Sequence, residues 1–197
     1  MPVFPKDPGP VDYGIYLCSP EELKASYDRC RALQVPVELD KPQRILPKIE
    51  LASRLAANSL LLVAVERVIT PHHYTGPQND HIYILCDREL VALKIFASPE
   101  VLTAADDADI KPGTVFAKES CGTNALALAK EYDRLVAVRG EQHYCALFKD
   151  WWCVAGPVKD PDGNTLGYFN ISMHAEKELG CTVAFLENLL NSIKENS

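Results

Sequence analysis

Three thiols, an imidazole and one helix start are the parts of this sequence equipped to do chemistry. Cys121 directly precedes Gly122-Thr123-Asn124, His143-Tyr144 precedes Cys145, and Cys153 follows the pair Trp151-Trp152. If these loops converge, Cys121, Cys145, Cys153 and His143 make a thiolate-rich metal or redox site. The spacing does not demand it. The seven cysteines are odd in number and irregularly placed, with no C-x-x-C pair, which fits reduced packing residues better than a disulfide or zinc framework. Thr123 or Asn124 can cap the helix-forming run Ala125–Glu131. The first-turn N–H groups would then offer a positive dipole end to an anionic or carbonyl-bearing ligand. Capping alone explains the same residues. His143 brings a donor and an acceptor, and Tyr144 a ring with a polar tip, so both are candidates to face a ligand. Each equally suits a structural role.

The elements that must position these residues follow from periodicity. Ser19-Pro20 opens a helix through EELKASYDRCRAL, with acidic residues in its first turn, and Val35-Pro36 stops it. Its apolar stripe is Leu23, Tyr27, Cys30 and Leu33, a face expected to dock on the rest of the molecule. A long helix is predicted from about Leu46 to Ile69. In it Leu51, Leu55, Asn58, Leu62, Val65 and Ile69 step alternately by four and three, a heptad seam interrupted by one amide. A second such helix is predicted from about Glu176 to Lys194, with Leu179, Val183, Leu186, Leu190 and Ile193 on its seam. The first seam serves a core helix against a sheet or a homodimer partner, with Asn58 fixing register in the second case; the two flanking seams together suit a dimer in which helix orientation carries the output.

Between the helices, β-rich runs cover His81–Cys86, Leu90–Phe96, Leu135–Val138, Trp152–Val158 and Thr165–Ile171. Asp87-Arg88-Glu89 reads as a hairpin connection, and Asp160-Pro161-Asp162-Gly163-Asn164 is the strongest turn signal in the chain. Helices between and around five strands imply a mixed α/β layer. Trp151 and Trp152 must face opposite ways at a strand start. Phe169 and Ile171 share one face of the last strand, and Tyr168, Asn170 and Ser172 the other. The two domains read from this pattern are a proline-rich segment with one helix (1–43) and a sensor-sized domain (44–197).

The 197 residues carry a net charge of −7 and are 47% hydrophobic, enough for one buried core. A negative chain with only scattered Lys and Arg pairs is a poor partner for nucleic acid. No apolar run approaches the roughly 18 residues of a membrane span, and the first residues lack the basic-then-apolar pattern of a secretory signal, so a cytoplasmic location is expected.

Taken in order, the motifs resemble a GAF domain, and more narrowly the N-terminal sensor region of sigma-54-dependent activators of the acetoin- and glycerol-catabolism type. The residues that carry the resemblance are Arg29-Cys30 in SYDRCRAL, the Leu-rich ELASRLAANSLLL, the hairpin CDREL, Gly122-Thr123-Asn124-Ala125, and Gly140-Glu141-Gln142-His143-Tyr144. Cys153 leading to Pro157, and Asp160-x-x-Gly163 before the last strand, complete the set, spanning about Ser26 to Ile193. The resemblance implies a GAF-like α/β fold (α+β), with a central antiparallel sheet of five to six strands, helices on one face and ligand-enclosing loops on the other. It also implies a regulatory domain that senses a small-molecule effector, works as a homodimer through its flanking helices, and alters their geometry on binding. The ligand-binding residues it implies are Phe116, Lys118, Cys121, Thr123, Asn124, His143, Tyr144, Trp152, Cys153 and Asn170. No residue is assigned a catalytic or metal-binding role, and no cofactor follows from the sequence.

Two departures from the pattern stand out. Phe116-Ala117-Lys118 replaces a common Trp-Ser-Glu, and Ala125-Leu126-Ala127-Leu128 replaces a common Ala-Ile-Gly-Thr. Both make the wall more apolar, and a base replaces an acid, which favours an anionic or partly apolar effector. The chain contains neither a Walker A loop nor a helix-turn-helix, so ATPase and DNA-binding domains are expected outside it. A rival reading from another class is a cysteine-based redox sensor or a free methionine sulfoxide reductase of the GAF type. It would use Cys121, Cys145 and Cys153 as nucleophile and resolving thiol.

Overall fold

The computed structural model describes residues 13–69, 80–174 and 179–196. Its centre is one antiparallel sheet of five strands: β1 (Ile82–Cys86), β2 (Ala92–Phe96), β3 (Val136–Arg139), β4 (Trp152–Lys159) and β5 (Thr165–Met173), in the order β2-β1-β5-β4-β3. The helices are α1 (Pro20–Ala32), α2 (Lys48–Ala57), α3 (Ser59–Val68), α4 (Pro99–Asp107), the one-turn α5 (Lys118–Cys121), α6 (Ala125–Tyr132) and α7 (Leu179–Asn196). This is the GAF-like arrangement the sequence implies.

Alternation along the strands sorts the core into two layers. Tyr83, Leu85, Phe169, Ile171, Val154 and Val158 pack against α3 and α7. Ile84, Cys86, Val136, Val138, Cys153, Ala155 and Tyr168 pack against α4, α6 and the loops that contain the candidate site. In a strand, neighbouring side chains point to opposite faces, so residues two apart define which layer a strand feeds. Asn170 and Ser172 fall on the second face, beside Cys153 and Ala155.

The Asp160–Asn164 turn joins β4 to β5 as expected. Asp160 Oδ1 accepts from Asn164 N at 2.8 Å, and Gly163 takes the left-handed conformation, with φ 89°. The β1–β2 connection differs from the expected one. Leu90 is not in the strand; it holds φ 64° in the turn, and the buried Asp87 carboxylate accepts from Glu89 N and Val91 N at 2.9 Å each. Asp87 thus supplies a side-chain anchor that lets a leucine occupy a position where glycine is easier.

Three further expectations are corrected. The predicted long helix is two: α2 ends and α3 begins at Asn58 (φ −111°, ψ 22°), whose amide donates to Arg54 O at 2.8 Å. An asparagine that bonds back to the chain competes with helix propagation, which explains the break. The α7 seam faces its own sheet, because Leu179, Val183, Leu186 and Ile193 are fully buried in the core layer shared with α3 and Leu190 packs on it. Leu33 is exposed rather than part of the α1 stripe. The predicted start of the last helix at Glu176 lies outside the described residues. Helix α4 has no counterpart among the expected elements, although Ser98-Pro99-Glu100 has the composition of a helix start, and Ser98 Oγ accepts from Val101 N.

Candidate functional site

Helix α1 is fastened before it can contribute. Ser19 and Glu22 form a reciprocal capping box, Leu23 joins the site-side core, and Ser26 Oγ lies 2.7 Å from Thr123 Oγ1. Cys30 Sγ is 3.4 Å from the same hydroxyl. Tyr27 donates to Gln142 O at 2.7 Å and its ring meets Tyr144 at 5.7 Å between centroids. Thr123 and Tyr144 are therefore joints between α1 and the site loops. They do not face the site itself.

Asn124 is the cap of α6. Its Oδ1 accepts from Ala127 N at 3.0 Å, while its Nδ2 donates to Phe116 O and Gly122 O at 2.9 and 3.0 Å. One side chain thus fixes the helix start and the loop before it. The first turn of α6 is buried, so its N–H groups face protein rather than solvent. Gly122, at φ 65° and ψ −162°, is wedged against the following loop. A Cβ there would stand 2.5 Å from Cys145 Sγ and 3.2 Å from Tyr144 Cδ1, so only glycine fits.

Between α6, β4, β5 and the loop of 140–148 lies a small chamber of about 20 Å³. It is lined by Phe116, Asn124, Phe148, Cys153, Asn170 and Ser172, with Ile84, Ala125 and Leu126 completing the wall. The polar groups are chained: Cys153 Sγ is 3.1 Å from Ser172 Oγ, Ser172 Oγ donates to Asn170 Oδ1 at 2.8 Å, and Asn170 Nδ2 donates to Val154 O at 3.1 Å. Phe148 bridges the chamber to the imidazole, with ring centroids 6.2 Å from Phe116 and 5.6 Å from His143. A void of this size holds roughly one water molecule. As it stands, the chamber is too small for a metabolite.

His143 is almost wholly buried. Its Nδ1 is 2.9 Å from Gly140 O, and a carbonyl can only accept, so Nδ1 carries the proton. That leaves Nε2 as an acceptor. Among the described residues it is the one buried side-chain polar atom without a hydrogen-bond partner. Burial pushes the imidazole pKa down to about 4, which the Gly140 contact offsets only in part, so the ring is neutral at physiological pH.

Burial acts in the opposite sense on the thiols. Cys121, Cys145 and Cys153 are each pushed up to about 12. A reactive cysteine needs the reverse shift. The three are not brought into one cluster: Cys153 lines the chamber, Cys121 donates to Val115 O at 3.2 Å, and Cys145 belongs to a separate group with Cys30, Val35 and Tyr144. Among the described residues no group of three His, Cys, Asp or Glu is arranged to hold a metal.

The sequence-predicted residues divide accordingly. Phe116, Asn124, Cys153 and Asn170 meet at the chamber, and His143 stands behind Phe148. Trp152 packs in the opposite core layer, with the Arg139 guanidinium 5.8 Å from its ring; Trp151 takes the site side. Lys118 is buried and paired with Glu131, so its charge is compensated inside the protein rather than offered to a ligand. Phe148 and Ser172 complete the chamber. Ser172 shares the face of Asn170 by period-two alternation, but no sequence signal marks Phe148.

Similarity to known proteins agrees with this architecture. No protein-family model matches the chain. It is 25% identical over 155 residues to the acetoin dehydrogenase operon transcriptional activator AcoR of Bacillus subtilis, a match that covers 79% of this chain and 26% of AcoR. It is 24% identical over 179 residues to a signal-transduction and transcriptional-control protein of Clostridium beijerinckii, covering 88% of this chain and 28% of that one. The chain thus spans about a quarter of the length of these relatives. Among solved structures, the Escherichia coli DhaR(N)–DhaL complex matches with a TM-score of 0.81 at 20% identity, over 90% of this chain and 60% of the matched one. The fold is shared with that regulator region, and the sequence is similar to transcriptional activators. Among the described residues no helix is long and apolar enough to cross a membrane.

Proposed function

We propose that this chain is the signal-receiving region of a transcriptional activator of the sigma-54-dependent kind, whose ATPase and DNA-binding domains lie outside these 197 residues. In this reading a small hydroxyl-bearing effector inserts between α6 and the β4–β5 face and displaces the Phe148 ring. One observation carries the proposal. Among the described residues, whose other buried side-chain nitrogen and oxygen atoms are all paired, the neutral His143 keeps an acceptor with no donor. An unmade hydrogen bond at a buried acceptor costs about 1–3 kcal/mol, which a ligand hydroxyl would recover. A water molecule or an alcohol can supply that donor; a carboxylate cannot. The anionic preference expected from sequence rests on Lys118, which Glu131 already neutralises, and on the α6 start, whose first turn is buried.

Effector binding would reach α1 through Thr123 and Tyr144, since these residues touch both the site loops and that helix. The homodimer contact is placed on α2 and α3 rather than on the α7 seam, which is spent on the sheet. There Ile49 and Leu60 are 78% and 86% exposed, and Val63 is exposed as well. A thiol-based enzyme is disfavoured by the raised thiol pKa values and by the separation of Cys145 from Cys153. The test is a thermal-shift screen of three- to five-carbon diols, hydroxyketones and carboxylates against the natural chain and Asn170→Leu. Stabilisation by hydroxylated members, lost in the variant, supports the reading. Equal responses of both proteins, or a response to carboxylates alone, would contradict it.

A further inference from the structure

A wider opening than the chamber lies on another side of the fold. A groove of about 560 Å³ runs between α1, the segment before α2, the β1–β2 turn and α6, and shares no lining residue with the chamber. Five cationic side chains line it, Arg29, Arg44, Arg54, Lys118 and Lys130, against the three carboxylates of Glu89, Glu119 and Glu131. That excess of positive charge is unusual on a chain with a net charge of −7.

Internal pairing accounts for part of it. Arg54 Nη1 is 2.9 Å from the buried Asp87 and 2.8 Å from Glu89, and Lys118 is held by Glu131. Lys130 Nζ donates to Arg88 O at 2.6 Å. Arg29 and Arg44 have no carboxylate within ion-pair distance among the described residues. Both stand on fixed backbone. Arg44 N donates to Ser120 Oγ at 3.0 Å and Arg44 O accepts from Val115 N at 3.1 Å, while α1 is pinned at Thr123 by Ser26 and Cys30. The groove floor is apolar, built on the Leu46–Val91–Val115 cluster.

We propose that this groove is a second ligand site, for a small organic oxyanion, a carboxylate or a phosphate monoester, with an apolar body. Its volume lies in the range of small-molecule sites. Guanidinium groups match both head groups through paired N–H donors, and they keep their charge at any physiological pH. The apolar floor accommodates the remainder of such a ligand. The paired cations, Arg54 and Lys118, hold the walls, and Arg29 and Arg44 supply the charge for recognition.

The experiment is isothermal titration calorimetry of the full chain with phenyl phosphate, benzoate and benzyl alcohol. It is run in roughly 20 mM and again in roughly 500 mM salt, because screening separates charge recognition from apolar contact. The two oxyanions bind and the alcohol does not; Arg29→Gln and Arg44→Gln each weaken binding roughly tenfold, as loss of one charge-assisted hydrogen bond does. Tighter binding of phenyl phosphate identifies a phosphate ester as the ligand class, and tighter binding of benzoate a carboxylate. No binding of either oxyanion overturns the proposal, as does benzyl alcohol binding equally well. So does unchanged affinity in the double variant with a native circular-dichroism spectrum. If the variants fail to fold, competition on the natural chain decides: inorganic phosphate must displace phenyl phosphate. Failure of the groove leaves the chamber reading standing, because no residue lines both sites.

Discussion

His143→Asn isolates the consequence of burying a neutral imidazole. The asparagine amide can keep the donor to Gly140 O that Nδ1 now supplies, while removing the only titrating group at this position. In the folded chain the imidazole pKa lies near 4, against 6.5 in the unfolded chain. The folded pKa is the lower one, so between these values the unfolded state binds the extra proton. The resulting stability is therefore fully present above about pH 6.5 and is lost as pH falls toward 4. Taking 1.36 kcal/mol per pKa unit, moving from pH 7.5 to 5.0 removes about 2 kcal/mol through this residue alone. Urea denaturation of both proteins at the two pH values is the assay. Carboxylates contribute equally to both, so the stability gap between natural chain and variant should shift by about 2 kcal/mol in the variant's favour at pH 5.0. Identical pH dependence in the two proteins would refute the claim that His143 is buried and neutral.

Gly122→Ala places a Cβ 2.5 Å from Cys145 Sγ at a left-handed φ, and should destabilise the chain by about 3 kcal/mol or more in the same denaturation assay. Thr123→Val leaves the Ser26 hydroxyl buried without its partner, at a cost of about 1–3 kcal/mol; hydrogen exchange should show faster opening of α1 than of the sheet. Titration of the native protein with a thiol reagent at pH 8 should modify Cys181 promptly. The other six thiols, all buried, should react only as the chain unfolds.

The sheet is legible in the sequence because β-branched runs and turn residues are local signals. The Asp160–Asn164 turn and the face shared by Tyr168, Asn170 and Ser172 come directly from them. The Ser19 and Asn124 caps are legible for the same reason. The heptad steps of Leu179 to Ile193 are legible as a pattern but ambiguous in meaning, since a helix packing on a sheet and one packing on another helix need the same stripe. Asn58 shows the limit more sharply: its type disfavours a helix interior, yet only the backbone reveals that the helix breaks there. The site is half legible. Motif adjacency puts Thr123, Asn124, His143 and Tyr144 together, but direction is hidden, and Thr123 and Tyr144 turn toward α1. Trp152 misleads because its sequence neighbours Trp151 and Cys153 face the site while it does not. Lys118 has a partner, Glu131, thirteen residues away, that no local pattern announces.

Hydrogen exchange of the native chain, with and without the diols and hydroxyketones that raise its melting temperature, tests the chamber most directly. Slower exchange in 116–128 and 140–154, extending into α1, is the predicted result. Protection confined to α7, or absent from both loops, would contradict it.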